Sequence, residues 1–158
     1  MTSNKKPMEL ENRINADIKQ AMIAKESRKL EALRGIKAAI LLAKTSKEAA
    51  GNELPEEAGL KLLQKLIKQR QESAEIYKSN GRTDLANEEL FQAEIIEHYL
   101  PKQLSENEIR LGLEKIIRET GASGIKDMGR VMGLASKEFA GKADNKVIAD
   151  IVKQILGI

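Results

Sequence analysis

Apolar and polar residues alternate along this chain with the period of an amphipathic α-helix. In the first hundred residues, apolar positions recur every three or four residues in four segments, and each segment predicts a helix. The predicted helices begin near Met8, near Ser27, at Pro55 and near Thr83, and Gly51 and Asn52 separate the second from the third. The third helix reaches Asn80, where Gly81 supplies a left-handed cap. Thr83 is expected to cap the fourth helix, which ends near Tyr99.

A second group of helices is predicted after a short linker, Leu100 to Leu104, of sequence LPKQL. Ser105 and Glu108 have the spacing of a capping box, which opens a fifth helix. Two further helices follow, and Asp144 is expected to cap the last of them. The three helices end, in order, at Gly121, near Ala140 and at Leu156.

The predicted fold is all-α, with an N-terminal antiparallel helical domain of about four helices (residues 1–100) and a C-terminal three-helix domain (residues 104–158). The composition agrees with this prediction. Hydrophobic residues make up 41% of the chain, which is enough for a packed core, whereas aromatic residues make up only 3%. Alanine, leucine, lysine and glutamate favour helices over strands.

The absence of cysteine limits the chemistry that the chain can perform, and its N-terminal sequence predicts a cellular location. Cysteine is absent, which excludes disulfides, thiolate metal sites and cysteine nucleophiles. The N-terminal sequence MTSNKKPMELENR lacks the apolar core of a signal peptide, and no run approaches the roughly 18 apolar residues of a membrane span. These features predict a cytoplasmic protein without a membrane partner. The net charge of +3 is too small to identify a partner by itself.

The sixth predicted helix carries the candidate binding site. At 100° per residue, its apolar side chains share one arc, and the opposite arc holds cations and glycines but no carboxylate. Two glycines within a helix each cost about 0.5–1 kcal/mol relative to alanine, so a function should offset them. A flat strip flanked by cations fits the sugar-phosphate backbone of a nucleic acid. The predicted nucleic-acid-binding residues, which we call the glycine–lysine face, are Lys126, Gly129, Arg130, Gly133, Lys137, Lys142 and Lys146.

A second interpretation of this helix stays open on the residues alone. The glycines could let another helix of the same protein pack closely, and the cations would then simply be solvated. If a nucleic acid does bind, the scarcity of aromatic side chains argues against base stacking and for contacts with backbone and shape. A folded RNA such as tRNA is therefore the expected partner, and DNA is not.

The segment GASGIKDMGRVMGLASKEFAGKADNKVI resembles the glycine- and lysine-containing tail of the GatB/YqeY family. The segments LEALRGIKAAILLAK, IKQRQESAEIYKSNGRTDLANEE and EIIEHYLPKQLSENEI are similar to the YqeY-type members specifically. The resemblance implies an N-terminal antiparallel helical domain followed by a three-helix GatB/YqeY-type tail domain. In the amidotransferase B subunit the related tail contacts the elbow region of tRNA. The resemblance therefore implies tRNA binding, with amidotransferase or aminoacyl-tRNA synthetase components as further partners.

The same resemblance implies an association with carbon–nitrogen ligases that use glutamine as the amido-N-donor. The residues themselves suggest no autonomous catalytic site, because His98 is the only histidine and no phosphate-binding loop or serine nucleophile elbow is present. No catalytic residue, metal site or cofactor is predicted. Three functions remain: a tRNA-binding module, an amidotransferase-associated component and a protein-interaction adaptor.

Charged residues on apolar stripes predict an ion pair in the N-terminal domain. Arg34, Arg70 and Glu97 lie on or beside the stripes of the second, third and fourth helices. Since an isolated buried charge is very costly, Glu97 is expected to bridge to Arg70, Arg34 or both. A site for an anionic ligand is the alternative. Charge also separates between a basic third helix and an acidic fourth, which predicts a complementary hairpin or, alternatively, an RNA-recruiting surface on the second and third helices.

Overall fold

The computed structural model describes residues 7–45 and 54–158, and within these residues the chain is helical and contains no strand. The prediction of an all-α fold is confirmed. The chain divides into two compact units, Met1–Leu100 and Pro101–Ile158. That each unit is an independent domain remains a prediction. The predicted break at Gly51 and Asn52 lies outside the described residues.

The described part of the first unit contains helices that each begin at or next to the predicted residue. Their bounds are α1 Pro7–Ile23, α2 Ser27–Lys44, α3 Glu56–Ser79 and α4 Thr83–Glu97. Gly81 has a φ of 74°, as the predicted left-handed cap of α3 requires. The cap predicted for α4 is wrong, because Arg82 occupies the cap position, where its side chain makes no capping hydrogen bond, and Thr83 is already the first helical residue.

The first unit is built from two helical hairpins, α1–α2 and α3–α4, that share one core. Ile14 of α1, Leu33 and Ile36 of α2 and Leu63 of α3 are almost completely buried in it, and Ile96 of α4 joins them. Charged side chains link the helices around this core. The Lys44 ammonium lies 3.0 Å from Glu11 of α1, and the Arg28 guanidinium lies 3.0 Å from Glu88 of α4. The hairpins are therefore joined by both apolar and ionic contacts.

The second unit contains three α-helices with well-formed ends. They are α5 Glu106–Thr120, α6 Met128–Glu138 and α7 Asn145–Leu156, and a 3₁₀ turn, Ile125–Asp127, leads into α6. The predicted capping box is confirmed, since Ser105 Oγ accepts from the Glu108 N–H while the Glu108 carboxylate accepts from the Ser105 N–H. Asp144 caps α7 by accepting from the Lys146 N–H, as predicted.

The core of the second unit fixes the orientation of α6. Val131 and Ala135 of α6 are completely buried against α5 and α7, and Phe139 packs directly on Gly112 of α5. A Cβ added at Gly112 would lie 2.6 Å from Cζ of Phe139, so this glycine permits close approach. Because the apolar arc of α6 is held inward in this way, its opposite arc points outward.

The segment that precedes α5 is attached to the turn between α6 and α7. The side-chain amide of Gln103 donates to the Gly141 carbonyl at 2.7 Å, and the Leu104 N–H donates to the Lys142 carbonyl at 3.0 Å. Leu104 also packs against the core of the unit. The backbone of the turn that carries Lys142 is therefore fixed by residues of the predicted linker.

Candidate nucleic-acid interface

The two glycines of the glycine–lysine face lie open on the surface of α6. Gly129 and Gly133 are exposed, and a Cβ added at either position would meet no other atom of residues 7–45 and 54–158 within 4 Å. This contrasts with Gly112, whose missing side chain is required for packing. The strip at Gly129 and Gly133 is therefore free to accept an approaching molecule.

The lysines around this strip carry unpaired charges. Lys126, Lys137, Lys142 and Lys146 are all exposed, and none lies within 4.0 Å of a carboxylate in the described part of the chain. The first two belong to the 3₁₀ turn and the last turn of α6, so they lie at opposite ends of the glycine strip. An exposed lysine without an intramolecular partner can reach a phosphate without first breaking an ion pair.

The start of α7 lies beside the same helix. The hydroxyl of Ser136, on α6, lies 3.4 Å from Oδ1 of Asn145, the first residue of α7. Ser136 is one residue from Lys137, and Asn145 is one residue from Lys146. The contact therefore connects the part of α6 that bears Lys137 to the start of α7, which bears Lys146. The neighbouring carboxylate of Asp144 is engaged as the cap of α7.

Arg130 differs from the lysines because its guanidinium is engaged within the unit. Its Nη2 donates to the Thr120 carbonyl at 3.2 Å and to Oδ1 of Asp127 at 3.2 Å. Asp127 also accepts from the backbone N–H groups of Ser123 and Gly124. The bond from Ser123 is the main cause of a lowered pKa for the Asp127 carboxyl, to which Arg130 and Lys126 add. The outward-facing arc of α6 was expected to carry no carboxylate, but the carboxylate of Asp127 lies at its border.

The ion pair predicted in the first unit does not form as expected. Arg70 is paired, but its partner is Glu89 at 3.2 Å, and the two side chains join α3 to α4. Glu97 and Arg34 are exposed and make no ion pair within the described residues. Arg34 borders the apolar stripe of α2, so its long side chain extends to solvent, and Glu97 is likewise exposed beside buried Ile96.

Other candidate chemistry is sparse in the described part of the chain. Within residues 7–45 and 54–158, no three His, Cys, Asp or Glu side chains are arranged to hold a metal ion. His98 is exposed at the end of α4. None of the described helices combines the length and apolar content that are needed to cross a bilayer.

Sequence reasoning missed a cluster around Tyr99, which is buried in the first unit. The hydroxyl of Tyr99 donates to Oδ2 of Asp17, and the Arg13 guanidinium lies 5.0 Å from the centre of the tyrosine ring. Arg13 and Asp17 are four residues apart and therefore share one side of α1. This spacing was the signal in the sequence that the two side chains lie close together. Their common partner lies more than eighty residues away in sequence, so the pairing itself had no local signal.

Comparison with known proteins adds a family and several relatives. The family model described as Yqey-like protein matches residues 11–156. "Altered inheritance of mitochondria protein 41, mitochondrial" from Lachancea thermotolerans is 36% identical over 110 residues, which are 67% of this chain and 57% of that protein. The protein of the same name from Pyrenophora tritici-repentis is 30% identical over 149 residues, 92% of this chain and 80% of that protein. A third, from Meyerozyma guilliermondii, is 39% identical over 89 residues, 56% of this chain and 45% of that protein.

These comparisons bear on length and location. The chain spans only about half the length of the first and third of these relatives, and four fifths of the second. Each relative is named as mitochondrial, and this finding contradicts the cytoplasmic location predicted from the sequence. That prediction rested on the missing signal-peptide core at the N-terminus, and such a core is a feature of secretory targeting alone.

Proposed function

Because the chain belongs to the Yqey-like protein family, we propose that it binds tRNA by gripping the RNA backbone with the glycine–lysine face of its second unit. The role is that of a binding module that serves a tRNA transaction such as glutamine-dependent transamidation. Components of an amidotransferase or an aminoacyl-tRNA synthetase would then meet the chain on the same tRNA. No residue of the chain is assigned to catalysis.

The observation that supports the proposal is the open strip at Gly129 and Gly133. Two exposed glycines within a helix lower its stability, and neither of them makes room for a neighbouring element of the structure. A ligand that needs close approach to the helix backbone would account for both. The lysines at Lys126 and Lys137 lie at the two ends of the strip, where an RNA backbone running across it would present phosphates.

The kind of nucleic acid follows from what the surface lacks. Phe139 is the only aromatic residue of the second unit, and it is buried with 5% of its surface exposed. Bases of a single strand therefore find no ring to stack on, whereas phosphates and sugars of a folded RNA find lysines and bare helix backbone. This combination favours recognition of shape over recognition of base sequence.

The test is a titration of the whole chain with unfractionated tRNA at several salt concentrations. We expect the logarithm of the binding constant to fall linearly with the logarithm of the salt concentration. The magnitude of this salt slope should be about 0.7–0.9 for each phosphate contact. The double variant Lys137→Gln, Lys142→Gln should reduce this slope by about 1.4–1.8. Its matched control is Lys65→Gln, Lys68→Gln on α3, which removes the same charge from exposed lysines of the first unit.

Two results would count against the proposal. Binding that hardly responds to salt would show that phosphate contacts do not drive it. An equal loss of slope in the α3 control would show that the chain attracts RNA through its general positive charge, and a loss in the control alone would place the contact on the alternative α2–α3 surface; both results exclude the glycine–lysine face as the specific site.

A protein-interaction adaptor is the second candidate, and the side chain of Leu134 favours it. Leu134 is 45% exposed on α6, next to Gly133. A partner helix could pack against the glycine strip and cover this leucine. Such a complex would resist salt and would be abolished by Gly133→Leu, whereas Lys137→Gln would leave it nearly unchanged.

A further inference from the structure

The last helix of the second unit carries a lysine that the glycine–lysine face does not include. Lys153 lies in the last turn of α7, is exposed, and makes no ion pair with a carboxylate of the described residues. The helix is regular to its end, because the Ile158 N–H donates to the Lys153 carbonyl at 3.0 Å and Gly157 closes the helix with a φ of 75°. The helical period therefore gives the direction in which Lys153 leaves the axis of α7.

Two side-chain contacts show which flank of α7 lies beside which neighbouring helix. Asn145, the first residue of α7, lies 3.4 Å from the hydroxyl of Ser136 on α6. Gln154, in the last turn, accepts a hydrogen bond from the Arg110 guanidinium of α5 at 2.7 Å. The flank of α7 that begins at Asn145 therefore faces α6, and the flank that ends at Gln154 faces α5.

Lys153 belongs to the flank on the α6 side. Residues four apart are neighbours on a helix surface, so Asn145, Ala149 and Lys153 form one row, whereas Asp150 and Gln154 form another. The first row turns by about 40° at each step, which brings Lys153 to the outward surface on the side of α6. The carboxylate of Asp150 lies in the row that faces α5. The ammonium group of Lys153 is thus on the same side of α7 as the glycine strip, and the carboxylate is not.

We propose that Lys153 is a further phosphate contact, and that the RNA-binding surface continues from the glycine strip of α6 onto α7. The inference rests on the proposed function. Lys146 and Lys153 are seven residues apart, so they share one side of α7 and lie about 10 Å apart along its axis. Because packed helices lie about 8–10 Å apart, this second row of cations meets phosphates beyond those that cross the glycine strip. A surface of this width fits a folded RNA, which presents phosphates from more than one stretch of its backbone.

Two substitutions at Lys153 and a matched control test the contact by titration of the whole chain with unfractionated tRNA. Lys153→Gln should reduce the salt slope by about 0.7–0.9, the amount that belongs to one phosphate contact. Lys153→Arg keeps the charge and should keep the wild-type slope. The control is Lys115→Gln on α5, which removes the same charge from an exposed lysine of the same unit and should leave the slope unchanged. Circular dichroism shows whether each variant is as helical as the wild type.

A chemical measurement on the wild-type chain tests the same contact without any substitution. Acetic anhydride acetylates exposed lysines, and mass spectrometry of the digested chain reports the extent at each position. Lys153 should react several-fold more slowly when the chain is saturated with tRNA. Lys115 should react at the same rate with and without tRNA.

The outcomes separate this inference from the proposed function. A wild-type chain that does not bind tRNA would remove both. If the wild type binds and the double variant Lys137→Gln, Lys142→Gln loses slope, then an unchanged slope in Lys153→Gln, or acetylation of Lys153 that tRNA does not slow, would overturn the extension onto α7 and leave the proposed function in place. Equal losses of slope in Lys153→Gln and Lys115→Gln would also overturn it, because the effect would then come from the general charge of the unit.

Discussion

At the scale of single residues, Tyr99 shows how one buried polar group joins distant parts of the first unit. It follows α4 and is only 6% exposed, and its hydroxyl donates to half-buried Asp17 of α1. Burial, and then the neighbouring Asp17, raise the pKa of Tyr99 above its ordinary value. The protonated hydroxyl therefore stabilises the folded unit, and this stabilisation depends on pH.

The pH dependence of unfolding should reveal this contribution. Because the pKa is higher in the folded state, the stabilisation is complete below about pH 10, the pKa of an unfolded tyrosine, and decreases as the pH rises above it. At about pH 8, Tyr99→Phe should lower the free energy of unfolding by about 1–2 kcal/mol, because Asp17 loses its donor. Urea denaturation at about pH 8 and about pH 10.5 should show the two proteins converging. A constant difference at both pH values would contradict this account.

At the scale of helices and their ends, local signals predicted the structure well. The capping box at Ser105 and the cap at Asp144 depend on residues within three positions of each other, so the sequence shows them directly. The partner of Arg70 could not be found in this way. Its position on an apolar stripe indicated that it needed a carboxylate, but the choice of Glu89 over Glu97 depends on the register between α3 and α4.

The features of the candidate site also fall into those that had a local signal in the sequence and those that had none. The exposure of the lysines and glycines followed from the helical period and the location of the apolar arc. The engagement of Arg130 with Asp127 had a signal in its spacing of three residues along the chain, at which side chains of a helix meet. The second partner, the Thr120 carbonyl, had none, because it depends on the path of the loop between α5 and α6.

Replacing two glycines of the second unit by alanine should change its stability in opposite directions. Gly133→Ala should raise the free energy of unfolding by about 0.5–1 kcal/mol, because the added Cβ meets nothing and alanine favours the helix. Gly112→Ala gains the same helix preference within α5, but its Cβ meets the buried ring of Phe139, and overpacking of this kind costs about 1–3 kcal/mol, which outweighs the gain. Chemical denaturation should therefore show changes of opposite sign. A gain in both variants would mean that Phe139 moves aside without cost.

At the scale of the whole chain, the division into two units follows from two separate apolar cores. One is formed by α1–α4 with Leu54 and Tyr99, and the other by α5–α7 with Phe139 and Ala143. The linker residues Gln103 and Leu104 bond to the α6–α7 turn and so belong with the second core. The two-domain prediction can therefore be tested by cutting the chain on either side of these linker residues.

Two fragments, residues 101–158 and residues 105–158, should differ in stability. Both contain α5–α7 with the Ser105 cap, but only the longer one keeps the bonds from Gln103 and Leu104 to the turn that carries Lys142. A domain below about 70–80 residues has little stability to spare, so the longer fragment should fold while the shorter one melts at a clearly lower temperature. If the second unit is an independent tRNA-binding domain, residues 101–158 should bind tRNA with the salt slope of the whole chain. Circular dichroism measures the folding and melting of each fragment, and the tRNA titration measures its binding. A longer fragment that is unfolded would show that the second unit depends on the first, whereas a folded fragment that does not bind would place the RNA contact elsewhere in the chain.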